Sequence, residues 1–478
     1  RGILNIQGAG NIALTSGEQG SVFSLKDGEL YTGEGNIDLL AKSSTYSVVI
    51  NGAAVTEDSA VLNAADEEAL LAGNVVGAVI NSANAAAIGG TFAITSSKGS
   101  IFNFNNFSNS NAESGDLTFN LASQDIKLAA AEGSIVNNID LYSEARVSLL
   151  AKSGLSNLSY TIFGAKGVTL QATEGDVINS SVIESSSGDI RLLADKGSVV
   201  NVSGADLVTA GGNVILESGA GAVVDNQLYY ATNQGEIVSL GEQAVYSVNR
   251  YYLDNGKKVI LTATMEAPAN AAVKTEILGA NNVVLADLAG DIAVFRKGAV
   301  VNYGNTLAGI NADVKNSGNV ILQSAKGDVF NYFDFNNISK RADGSISVKY
   351  TDSAYDMGAG IDSVSIAAND LTLSAVEGKV FNSKRQLTAG RDVSIIAKEG
   401  MANFAYDVQA GRNITLTATE GLLVNNAKLT AASGIIKLEA QNGSVVNMLH
   451  GDAVAQEGSV AMLAGGAHTE QLQLVDTN

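Results

Sequence analysis

Two histidines, His450 and His468, are the only imidazoles in the chain, and cysteine and tryptophan are absent. A Ser-His-Asp or Cys-His nucleophile would have to recruit one of them, and neither stands in a nucleophile elbow. Zinc, iron–sulfur and disulfide chemistry lack their ligands. Gly211-Gly212 is followed by no phosphate-binding loop and reads as a turn. What remains is oxygen chemistry. Polysaccharide lyases and glycosidases use a carboxylate pair, or calcium plus a base, in a groove lined with aromatic rings. Here Asp176, Asp189, Asp291, Asp328 and Asp392 sit next to or near glycines, at corners, and no aspartate cluster stands out. The chain therefore reads as a non-enzyme, with a glycan-active enzyme as its rival. One acidic column invites a metal. Glu377, Glu399 and Glu420 each precede a glycine at 21- to 22-residue spacing, so stacking would set three carboxylates ~5 Å apart. That is either a solvated face relieved by Lys398 or a capture site for calcium.

The elements that position these residues follow from composition. The chain has 478 residues, 51 glycines and one proline, where about 24 prolines would be usual. Disordered linkers, collagen and ordinary multidomain enzymes do not look like this. The net charge is 29 − 49 = −20, without the basic stripe that phosphate neutralisation requires, which argues against nucleic acid. No apolar run reaches the ~18 residues of a membrane helix; the most apolar window, 70–80, contains Gly73, Asn74 and Gly77. The chain opens Arg1-Gly2 with neither an initiator methionine nor a leader pattern, as a processed fragment would.

A repeat dominates the sequence. Glycine, any residue, two apolar residues and asparagine recur, with the asparagines at Asn103, Asn137, Asn179, Asn201, Asn302, Asn331, Asn382, Asn425 and Asn447. Where it is regular the spacing is 21 to 22 residues. Each period also holds an alternating segment such as Ile414-Thr-Leu-Thr-Ala418, the signature of a strand with one buried face. A third short segment follows the asparagine. Three strands cannot bury an inner face alone, but stacked loops bury it and pair their backbones. The pattern predicts an all-β, right-handed parallel β-helix, a single rod over 1–478 of about 17 to 20 turns. Proline is excluded because every interior strand donates N–H groups along the stack. The asparagines predict a structural ladder, since a ligand would recur in one or two turns and not in nine.

The register breaks near 41–92, 226–275 and 332–362, which read as excursions from the rod. Hairpin signals stand at Asp254-Asn255-Gly256 and Asp343-Gly344, the only proline is Pro268, and 66–71 reads as a short helix. Aromatic and basic residues gather there: Tyr229, Tyr230, Tyr246, Arg250, Tyr251 and Tyr252 in one stretch. Tyr332, Phe333, Phe335, Lys340, Arg341, Tyr350 and Tyr355 fall in or beside the other. Interfaces favour such residues. They form either a small core clamping each hairpin to the rod or a surface for a partner or a second copy of the chain. At about 85 residues apart, the two stretches are expected four turns from each other.

The tandem segments, such as Gly411-Arg-Asn-Ile-Thr-Leu-Thr-Ala-Thr-Glu-Gly-Leu-Leu-Val-Asn425, resemble the repeats of filamentous-haemagglutinin-like adhesins, large exoproteins of two-partner secretion. The resemblance covers roughly 115–225 and 365–465. It implies a right-handed β-helix shaft, secreted or held at the surface of a Gram-negative-type bacterium, in adhesion or biofilm contact. Its partners would be a host or neighbouring-cell surface, through a glycan or protein receptor, or further copies in a filament. The Asn-Pro signature of that family's secretion domain is not found, so the resemblance is to the shaft, or is architectural only.

Overall fold

The computed structural model describes residues 5–465 except 25–27, 46, 51–52, 55–73, 105–118, 159, 203, 220, 222–225, 232–236, 262–270, 291, 311–317, 333–337, 341–345, 349–362, 406 and 449. At 5, 47–50, 53–54, 74–75, 338–340 and 346–348 only the backbone is described. The chain winds into a parallel β-helix whose turns each carry three strands, and each strand pairs with its equivalent one turn on. One stack contains thirteen strands, from Val22–Ser24 to Val445–Asn447. The other two stacks form a 26-stranded sheet, joined where Lys428–Asn442 and Ala453–Ala464 run through the corner between them.

Thirteen turns at ~4.8 Å make a coil roughly 60 Å long. This is shorter than the expected 17 to 20 turns because long stretches leave the coil. Val199–Asn201 pairs directly with Val300–Asn302 across a sequence gap of about a hundred residues. Conversely, Val79–Asn81 and Asn84–Ala87 belong to the coil, inside the stretch 41–92 read as an excursion. There the departure from the coil includes the antiparallel strands Ser47–Ile50, Ala53–Ala54 and Asn74–Val76. Residues 66–71, read as a helix, lie outside the described residues.

The interior follows from alternation. Strands such as Val168–Ala172 and Ile190–Ala194 bury every second side chain, and Leu170 stacks on Leu192 in strict register. The core is one continuous column from Ile12 to Ala440, of Val, Ile, Leu and Ala with Phe92 and Met401 as the larger exceptions. Small and β-branched residues fit because each packs on its own equivalent.

The motif glycines serve close approach. A Cβ at Gly175 would lie 1.5 Å from the Ser153 carbonyl oxygen, and one at Gly443 1.7 Å from that of Gly421. Successive corners therefore touch backbone to backbone. Most of these glycines do not have positive φ; among the glycines that precede ladder asparagines, Gly77, Gly298, Gly400 and Gly421 do.

The asparagine ladder is longer than the nine expected rungs. It runs through twelve side chains, with Asn81, Asn157 and Asn403 added. From Asn81 to Asn425 every Nδ2 donates to the Oδ1 of the next rung at 2.7–2.9 Å. Several use the second proton on a local carbonyl, as Asn179 does on Ser181 at 2.7 Å. Replacing mid-ladder Asn179 by Leu orphans the Asn157 donor and the Asn201 acceptor, both buried. At about 1–3 kcal/mol per orphaned group, Asn179→Leu is expected to lower stability in urea unfolding well beyond Asn447→Leu. The latter removes an exposed terminal rung.

Candidate functional site

Between Ser218 and Val300 the chain builds an insert of antiparallel strands. Ile237–Glu242, Gln227–Ala231 and Ala293–Arg296 form a three-stranded sheet. Lys257–Leu261, Ser247–Asp254, Lys274–Leu278 and Val284–Ala289 form a four-stranded one. The insert thus extends to Arg296, beyond the expected 275. Its Asp254-Asn255-Gly256 hairpin has φ of 50° at Asn255 and 80° at Gly256, the left-handed pair that a two-residue turn needs.

The insert is fastened to the outside of the asparagine sheet. In that sheet the central residue of each strand points outward, and Val200, Val301 and Phe330 are all buried there. They pack with Phe295, Ala293 and Ala231 of the insert. Tyr303 locks the joint: its hydroxyl accepts the Ala293 N–H at 2.8 Å and donates to the Ala231 carbonyl at 3.4 Å. Tyr229 stacks on Phe295 at 6.1 Å. The clamp anticipated for the rings is therefore present at Tyr229. Its chief members, Tyr303, Phe295 and Phe330, escaped the sequence reading because they stand in or beside regular coil motifs.

The other rings divide. Tyr251 lies in the insert's own charged lattice: its hydroxyl donates to Asp287 at 2.8 Å, and the Lys258 ammonium stands 4.3 Å over its ring while pairing with Glu276 at 2.5 Å. Tyr230 packs beside Leu228 and Ile277, and Tyr252 is half-buried in the same sheet. Phe333, Phe335, Arg341, Tyr350 and Tyr355 lie outside the described residues. Lys340 is placed by its backbone alone, in a strand pair Ile338–Lys340 with Ile346–Val348. The two departures from the coil begin two ladder rungs apart, after Asn201 and after Asn331, or ~10 Å along the axis. The four-turn expectation fails because the insert's residues add no turns.

Tyr246, Arg250 and Tyr332 meet at a cleft of about 490 Å³ between insert and sheet. Phe330 and Phe381, on successive turns, form its aromatic floor with centroids 5.2 Å apart and planes within 10°. Tyr332 stands edge-on to Phe330 at 5.5 Å. Asp328, Lys379 and Phe404 complete the working wall. The Arg296 guanidinium sits 5.4 Å from the Tyr246 ring centroid. Asp328 accepts the Lys379 backbone N–H at 2.7 Å. Burial nevertheless pushes its carboxyl above the usual aspartate range, against the pull of that hydrogen bond and the Lys379 charge. Burial also pushes the Tyr246 hydroxyl up.

The acidic column does not assemble a metal site. Among the described residues no three acidic or histidine side chains are grouped to hold a cation. Glu377, Glu399 and Glu420 do stand two residues beyond the registered alanines Ala375, Ala397 and Ala418. But Glu377 pairs with Lys326 at 2.6 Å, which holds its carboxyl below the usual range. The same corner column alternates elsewhere, with Lys98 on Glu132 and Lys196 on Glu174. It is a mixed-charge column. His450 is exposed near the last ladder rung, and His468 lies outside the described residues.

No family model, curated protein or solved structure matches the chain.

A carboxyl raised by burial favours the fold when protonated. Its contribution is present below the unfolded aspartate value and is lost as pH rises through the raised folded one. Asp328→Asn is therefore expected to stabilise the protein at neutral pH and to give no gain in mild acid, read as melting temperature against pH.

Proposed function

We propose that the chain is an extracellular or cell-surface shaft of an adhesin or fibre, of the two-partner-secretion kind its repeats resemble, and that it presents the insert to a partner. The observation that carries this reading is position. The insert stands between the seventh and eighth of thirteen asparagine-sheet strands, clamped to a coil that continues in register on both sides of it. Stiff rods that hold a rigid projection away from a surface suit attachment. The acidic charge of −20 keeps such a rod soluble and free of nucleic acid. No helix among the described residues is long and apolar enough to cross a membrane.

A second reading, a polysaccharide-active enzyme, draws on Asp328, an acid held toward its protonated form on an aromatic wall. General acids of glycan cleavage need that environment.

One experiment separates them. Elsewhere the four residues Asp195–Ser198 join Ala194 to Val199. Replacing 219–299 by a corner of that sequence, which joins Ser218 to Val300 as Ala194 is joined to Val199, with Val301→Thr and Phe330→Thr on the bared face, should preserve the rod in negative-stain images. Attachment to cell layers or glycan-coated surfaces is expected from the intact chain and lost from the shortened one. Equal attachment by both sinks the presentation reading. Depolymerisation of a polysaccharide, abolished by Asp328→Asn, would favour the enzyme instead, and end-to-end filaments would favour a polymerising protomer.

A further inference from the structure

The cleft has chemistry of its own, whatever the shaft is for. Its volume of about 490 Å³ falls in the range of pockets that enclose a small organic molecule, which are mostly apolar with a few placed polar groups. The floor is Phe330 and Phe381, with Phe404 beyond. The insert contributes Leu261, Ile292 and Val294, all buried. These surfaces ask for an apolar body.

The charges are the reverse of the molecule's. In a chain of net −20, the side chains at the cleft include Arg250 and Lys379, with Arg296 behind the Tyr246 ring. Asp328, the one acid among the lining residues described, is biased toward neutrality by burial, and the nearby Glu399 carboxylate pushes it the same way against Lys379 and Arg296. Lys379 is exposed at the rim, where an ammonium keeps its hydration until a ligand arrives. A sugar would need a comb of available donors and acceptors. The amide on this wall, Asn382, is already engaged in the ladder, accepting from Asn331 at 2.9 Å and donating to Asn403 at 2.8 Å.

We propose that this cleft binds a small apolar anion, an aromatic or aliphatic carboxylate, with its body on the Phe330–Phe381 floor and its charge toward Lys379 and Arg250. Asp328 is the unfavourable neighbour in such a complex. When ionised it repels the ligand, and when neutral it does not.

The test is a fluorescence titration of the full chain with the aromatic sulfonate anilinonaphthalenesulfonate, followed by competition. One saturable site is expected, emptied by decanoate and not by decyltrimethylammonium or glucuronate. Lys379→Glu should weaken the dye about tenfold, the size of one lost and reversed charge contact at a partly wet site. It changes an exposed side chain, so its melting temperature should stay near that of the parent. Asp328→Asn should tighten binding and flatten its pH dependence. Val248→Trp, at a cleft-lining valine that is 40% exposed, should block the site while leaving the coil intact. The proposal falls if no saturable site is seen, if decyltrimethylammonium competes as well as decanoate, or if glucuronate alone displaces the dye. It falls equally if neither Lys379→Glu nor Val248→Trp alters binding.

Discussion

A carboxamide buried at a repeated position of a solenoid finds its recurring partner in the same residue one turn away. That constraint orders the rest of this molecule. Twelve asparagines meet it by pointing the same way, each donating along the chain direction and accepting from behind. The column is polar end to end, so its dipoles align and each bond strengthens its neighbours. The ends show the cost of stopping. Asn81 Oδ1 is buried without a partner among the described residues, where Ser24 occupies the equivalent place one turn earlier. At the other end Asn447 is exposed and turns its Nδ2 to the Gly451 carbonyl at 2.5 Å. An amide ladder is tolerant in composition and strict in register.

Strict register at one corner forces the others. If asparagine must stand ~4.8 Å above asparagine, the preceding turn has to pass backbone against backbone, and only glycine allows that at Gly175 or Gly443. The corner before the alternating strand is tied by a second column. The Oδ1 of Asn213, Asn319 and Asp370 each accepts the N–H of the aligned residue one turn on. On the outside the same alignment would stack like charges. Asp392 is answered by Arg412, Asp370 by Arg391 and Glu377 by Lys326. These surface pairs are individually weak, but they relieve a repulsion the stack would otherwise repeat at every turn.

This also explains what the sequence could reveal. Register-bound features repeat, so the coil, its period and nine of twelve rungs were legible from spacing alone. Asn81 carries the full signature, Gly77-Ala-Val-Ile-Asn81, but sits where the broken register pointed to an excursion. Asn157 and Asn403 follow their glycines by three residues instead of four, a corner one residue tighter. The cleft was only partly legible. Tyr246, Arg250 and Tyr332 drew attention as aromatic and basic residues in the interruptions. Phe330, Phe381 and Asp328 did not, because each fills an ordinary motif place and gains its role from what lies across from it. The acidic column misled for a related reason: three motifs show only glutamates, while the neutralising Lys326 lies one rung back across a 51-residue gap.

The placement of the insert follows from the same one-dimensional logic. In a solenoid each turn answers only to its neighbours, so a long detour costs the stack nothing provided the chain re-enters in register. Val300 does so opposite Val199. What the detour must supply is its own cohesion and a reason to stay down. The four-stranded sheet with its Tyr251–Asp287 and Lys258–Glu276 contacts gives the first. The outward column Val200, Val301 and Phe330 gives the second, since it would face water bare if the insert lifted. The same outward position is apolar on most turns of the asparagine sheet, as at Ile80, Phe102, Val136, Ile178 and Val424, and Val200, Val301 and Phe330 are the members on which the insert packs. The cover is incomplete over the next turn, where Phe381 is only half-buried, and there the cleft opens. The site is thus the edge of a clamp: the shaft's outer aromatic column runs one turn farther than the insert that covers it.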